Sequence, residues 1–170
     1  MAPVVTSGRA LIAGFGNLLL GDDGFGVEVV RRLAENPLPA GAEIVEVGIG
    51  GMELVYELMN GCGRLVIVDA VRKGLAPGTL YVFQPSEADI TPGPEPGIDP
   101  HFAEPTRAMK VAKKLGYLPE DVTIVGCEPF CCDLDLTLSP AVKAAVGPAA
   151  LRVRELLAGD FSRRQAAHGG

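Results

Sequence analysis

The chain has 170 residues, is 48% hydrophobic, contains no tryptophan and carries a formal net charge of −6. That is enough for one domain with a buried core, and the acidity excludes nucleic acid as the expected partner, because phosphate binding needs a basic footprint. No apolar run approaches the ~20 residues of a membrane span. The start, MAPVVTSGRA, has no basic region followed by an apolar block, so neither membrane insertion nor a signal peptide is expected.

Residues 1–8 read as a loose leader. Residues 9–15 form the first strand, with the apolar run Ala10 to Ala13 buried. Gly14-Phe15-Gly16-Asn17 ends it in a tight turn, and after residues 18–21 come two adjacent carboxylates, Asp22 and Asp23. Gly14 and Gly16 suggest a dinucleotide fingerprint, but Leu19 stands where the third glycine should be. Either aspartate is a good helix cap, since a carboxylate there accepts backbone N–H bonds and meets the positive end of the dipole. Two exceed the needs of one cap, which leaves a metal or proton-transfer role open for one of them. The helix predicted over 24–36 buries Val27, Val30 and Leu33, turns Glu28, Arg31, Arg32 and Glu35 to water, and is stopped by Pro37 and Pro39.

The second strand is 43–47. A glycine-rich turn follows, in which Gly50 and Gly51 allow close backbone approach or positive φ, and then a helix over 52–60. The third strand, 64–68, is the most uniformly apolar and suits a central parallel position covered on both faces. It ends at Asp69, a carboxylate with no packing role there, so it should be paired, protonated or on a metal. The fourth strand is 79–84. Its connection from Asp69 is too short for a crossover helix, so it should run antiparallel to the third and the sheet is mixed. Residues 85–100, with Pro92, Pro94, Pro96 and Pro100, exclude regular structure and deliver the chain to His101. A helix over 106–115 and a fifth strand over 121–126 follow. Ser139, as N-cap, and Pro140 open a last helix over 141–157, which Pro148 should bend or divide. A single domain over 1–158 is expected, with 159–170, which holds the second histidine, His168, as a disordered tail.

The four cysteines, Cys62, Cys127, Cys131 and Cys132, do not read as a disulfide scaffold. The cluster spacing C-x3-C-C lacks paired C-x2-C ligands and a nearby histidine, which favours structural thiols over zinc. Asp23, Asp69 and His101 come from three segments that an α/β sheet brings to one edge. Two carboxylates and one imidazole suit a borderline divalent ion such as Ni²⁺ or Zn²⁺, and without a thiolate the site should be exchangeable.

GFGNLLLGDDGFGVEVV, GIGGMEL, VIVDAV, a DPH segment before a helix, GCEP and LSPAV occur in that order. The set resembles the [NiFe]-hydrogenase maturation endopeptidases over roughly residues 9–157. The resemblance implies a three-layer α/β/α sandwich around a twisted, mostly parallel five-stranded mixed sheet, in agreement with the strands read above. It implies an endopeptidase that removes the C-terminal extension of a [NiFe]-hydrogenase large-subunit precursor after nickel insertion. By the same resemblance Asp23, Asp69 and His101 are the metal-binding and catalytic residues, with nickel supplied by the substrate and other divalent ions able to occupy the site. Asp23 stands where relatives often have Glu, and Asp22 is the alternative first-position candidate. The general base is left open between a metal-activated water and a carboxylate. No G-x-S-x-G elbow or H-E-x-x-H helix is present, and Cys62, before the third strand, lies away from the proposed edge. A non-catalytic nickel-dependent chaperone is the alternative, and a Rossmann-like nucleotide binder is disfavoured by the failed glycine pattern. A cytoplasmic monomer is expected.

Overall fold

The computed structural model describes residues 8–91 and 103–167. Five strands form one open sheet: β1 (Ala10–Phe15), β2 (Ala42–Gly48), β3 (Arg64–Ala70), β4 (Leu80–Phe83) and β5 (Asp121–Cys127). Their order is β2-β1-β3-β5-β4. The first four positions pair in parallel, and β4 pairs antiparallel with β5. The direction inferred for the fourth strand is therefore right, but β4 lies at the sheet edge and its hydrogen-bonded neighbour is β5, not β3.

Side-chain alternation splits the core into two layers. Leu11, Ala13 and Phe15 of β1, with Leu65 and Ile67 of β3, point to one face, where they meet Leu54 and Leu58 of α2 (Met52–Met59) and Met109 of α4 (Ala103–Leu115). Ile12, Val66, Val68 and Val125 point to the other, against Phe25, Val30 and Leu33 of α1 (Phe25–Ala34) and Val142 and Val153 of α5 (Pro140–Ala167). Helices on both faces of a largely parallel sheet explain why β3 is apolar almost throughout. The three-layer α/β/α sandwich is the fold.

Three local expectations change. A short helix, α3 (Glu87–Ile90), interrupts the proline-rich stretch, because Ser86 and Asp89 form a reciprocal capping box. α5 runs past Leu157 and through Gly159 to Ala167, and it is continuous across Pro148. Asp69 lies within β3 rather than after it. The turn before α2 has positive φ at Gly50 and Gly51, as expected. Among the described residues, no helix is long and apolar enough to cross a membrane.

Candidate active site

The C-terminal edge of the parallel strands is built around β1 and its exit. Gly16 has φ +132°, and a Cβ there would stand 1.8 Å from the Asp23 carbonyl oxygen. Only glycine lets the chain fold back so closely. The return leg is a 3₁₀ turn, Gly21–Gly24, that carries both aspartates and packs against the end of β3. α1 then starts against the sheet with Gly26 at its closest approach to Phe15 and Val68.

The two neighbouring carboxylates have different surroundings. Asp22 is 1% exposed. Its Oδ1 accepts from the Ser139 backbone N–H at 2.7 Å, and its Oδ2 accepts from Phe130 N–H at 2.9 Å, Cys131 N–H at 3.1 Å and the Ser139 hydroxyl at 2.8 Å. Three donors converge on Oδ2 and one on Oδ1, so both oxygens are engaged by the protein's own groups. Asp23 is only partly buried, and its Oδ2 accepts from Asn17 N–H at 2.9 Å. The two aspartates thus differ in surroundings: Asp22 is buried among donors from a distant segment, and Asp23 is partly exposed at the turn. Ser139, expected only as a helix cap, turns its hydroxyl to Asp22.

Asp69 sits at the end of the central strand, 2% exposed, with the Ala70 N–H donating to its Oδ1 at 2.8 Å. It pairs in register with Gly126 of β5. Asp23 and Asp69 thus belong to adjoining segments of one edge. His101 lies outside the described residues. The described start of α4 reaches the same edge, since a Cβ on Gly51 would meet the Glu104 carbonyl oxygen at 3.3 Å and Ala108 Cβ at 2.9 Å. Among the described residues there is no group of three or more His, Cys, Asp or Glu side chains able to hold a metal ion.

Two further charged groups were not singled out by sequence reasoning. Glu128 is 5% exposed and accepts from the Tyr81 hydroxyl at 2.6 Å, Lys73 N–H at 2.7 Å and Gly74 N–H at 3.3 Å. Burial pushes its pKa up, but those donors outweigh burial and hold it below the usual carboxylate range. Its place in the GCEP segment was the available signal. Arg72, three residues after Asp69, lies close enough to the Cys132 thiol to lower its pKa. Burial and then the Asp23 charge push that thiol up to about 11 against the opposing pull of Arg72. Cys127 is pushed up to about 12, first by burial and then by Asp22 and Glu128. Burial also raises Cys62. All four cysteines are free thiols.

A profile of the family described as hydrogenase maturation protease (HycI) matches residues 27–155. The chain belongs to the hydrogenase maturation protease family. It is 34% identical to the hydrogenase 2 maturation protease of Escherichia coli over 143 residues, covering 83% of this chain and 85% of that protein. It is 33% identical to the hydrogenase expression/formation protein HupD of Rhodobacter capsulatus, covering 92% and 75%. Among solved structures, the hydrogenase maturating endopeptidase HybD from E. coli superposes with a TM-score of 0.77 at 33% identity, covering 89% of this chain and 93% of that one. The [NiFe] hydrogenase maturation protease HybD from Thermococcus kodakarensis gives a TM-score of 0.69 at 29% identity, covering 87% and 98%. This maturation protease is accordingly a peptide hydrolase, and its thiols, all raised and two of them buried, are poorly suited to be its nucleophile.

Proposed function

We propose that this protease removes the C-terminal extension of a [NiFe]-hydrogenase large-subunit precursor in the cytoplasm after nickel insertion, and that it reads the nickel carried by that substrate through Asp23, Asp69 and His101. The observation that carries the proposal is the placement of a partly buried Asp23 and a buried Asp69 on one sheet edge, in segments that pack together. The start of α4 at that edge supports the inclusion of His101, two residues before it.

The donor set fits a borderline divalent ion, since carboxylate oxygens and an imidazole are hard-to-intermediate ligands and no thiolate locks the ion in. Such an ion polarises a carbonyl and lowers the pKa of nearby water. The chain's own residues do the rest. Asn17 N–H holds Asp23 and Ala70 N–H holds Asp69, so each carboxylate keeps a fixed direction. Either is a candidate to accept a proton from the attacking water. The water oxygen bonds to the scissile carbonyl carbon, the C–N bond breaks, and the accepted proton passes to the leaving amine.

The test is a processing assay on nickel-loaded and nickel-free precursor, read by mass spectrometry of the intact chains. Loss of one discrete C-terminal peptide from the loaded precursor alone is expected. Equal cutting of both would overturn the nickel reading. An intact precursor held in a stable complex would replace the protease with a chaperone.

A further inference from the structure

We propose that Asp22 is the positioning residue of this site: its carboxylate fastens the 128–139 loop to the glycine-rich turn and thereby fixes the direction of the Asp23 carboxylate. The proposal rests on the placement of Asp23 in the reaction made above.

Asp22 and Asp23 are adjacent, but they are held from opposite sides. Asp23 is gripped by its own loop, through Asn17 N–H to its Oδ2 at 2.9 Å and through its own N–H to the Leu20 carbonyl at 3.1 Å. That loop is in turn laced to a segment more than a hundred residues further along. Gly21 N–H donates to Asp135 O at 2.8 Å, Asp22 N–H to Cys131 O at 3.0 Å and Asp135 N–H to Leu19 O at 3.0 Å. To these three backbone bonds the Asp22 carboxylate adds four that it accepts from Phe130, Cys131 and Ser139. It is the only side chain named in this lacing that engages both ends of the loop, at 130–131 and at 139. A buried carboxylate with both oxygens engaged by the protein's own donors is not placed to meet a substrate group directly. Its effect on the reaction must therefore pass through the residue next to it.

The sequence offers both aspartates of GDDG, Asp23 by the resemblance and Asp22 as the alternative, and their surroundings differ only once the late loop is in place. An amide in place of the Asp22 carboxylate would turn an NH₂ group toward an N–H donor and lose at least one of the four bonds, without changing side-chain size.

The experiment compares the full-length wild type with Asp22→Asn, Ser139→Ala and Ser139→Thr. It has two readouts: the exchange rate of the Asn17 amide by NMR, and kcat and KM for precursor processing at a temperature where each variant is folded. The Asn17 amide reports directly on where the Asp23 carboxylate points. Asp22→Asn should speed Asn17 exchange by about tenfold or more while the Ile12 and Val66 amides in the central strands stay protected. The same variant should lower kcat by at least about tenfold with KM within about threefold, because misplaced catalytic groups slow the step rather than binding. Ser139→Ala, which keeps the Ser139 N–H bond, should move both readouts in the same direction by less, and Ser139→Thr should restore them. Unchanged Asn17 exchange overturns the proposal, and so does faster exchange with unchanged kcat. If the wild type itself leaves every precursor uncut, the endopeptidase reading fails, and Asn17 exchange still decides whether Asp22 fixes Asp23.

Discussion

Gly26→Ala changes one hydrogen for one methyl at the tightest point between α1 and the sheet. A Cβ there would lie 2.2 Å from the Val68 carbonyl oxygen, 2.3 Å from the Phe15 carbonyl oxygen and 2.9 Å from the Phe15 nitrogen. All three are backbone atoms of β1 and β3, so no side-chain rotation relieves the overlap. Carbon–oxygen contacts settle at about 3.3 Å or more, which requires α1 to lift by roughly 1 Å. Overpacking of this kind costs about 1–3 kcal/mol, and occasionally more. The lift also reaches the site, because the 3₁₀ turn carrying Asp23 runs directly into α1. A displacement of about 1 Å in a reacting group can cost on the order of 10²-fold in rate. Urea unfolding followed by far-ultraviolet circular dichroism measures the first effect, and precursor processing at a temperature where the variant is folded measures the second. Stability within about 0.5 kcal/mol of wild type, together with wild-type processing, would refute the claim that this contact sets the site.

Glu128→Gln tests the buried carboxylate beneath Tyr81. Hydrogen bonds to a charged acceptor contribute about 1.5–3 kcal/mol net, so the variant should lose stability of that order at pH 7. The folded pKa of Glu128 is depressed, so its contribution is present above the unfolded value and is lost as pH falls through the folded one. The gap between wild-type and variant denaturation midpoints should therefore narrow below about pH 4, and a gap independent of pH would contradict the assignment. The double variant Cys131→Ala/Cys132→Ala should cut precursor within about threefold of the wild-type rate, because raised thiol pKa values leave little thiolate to attack. Loss of cutting in a folded double variant would make a cysteine part of the reaction.

Strongly local signals carried the fold. The apolar run from Leu65 to Val68 marked a central strand because helices cover both of its faces. The stripe of Val27, Val30 and Leu33 marked α1 because one face alone is buried. Pairing across long separations was less legible. The short connection after β3 gave the direction of β4, but its partner β5 arrives some forty residues later, and nothing local encodes that choice. The Ser86–Asp89 capping box was visible in the sequence and was outweighed by the prolines around it, so α3 was missed. At the site, the aspartates and the glycines were legible as a loop between strand and helix. The resemblance pointed to Asp23, but the physical difference between the two aspartates was not legible, because the groups that bond Asp22 lie in the 130–139 segment. Ser139 was read for its local use as a cap, and its hydroxyl serves a contact 117 positions away.

The most direct test of the account is Asp69→Asn. The substitution keeps the shape of a buried side chain and replaces its carboxyl group with an amide at the end of the central strand. Wild type and variant would be compared on the same nickel-loaded precursor, with intact-mass detection of the released C-terminal peptide and circular dichroism as the folding control. The account predicts a folded protein that releases no peptide, and release at the wild-type rate would contradict it.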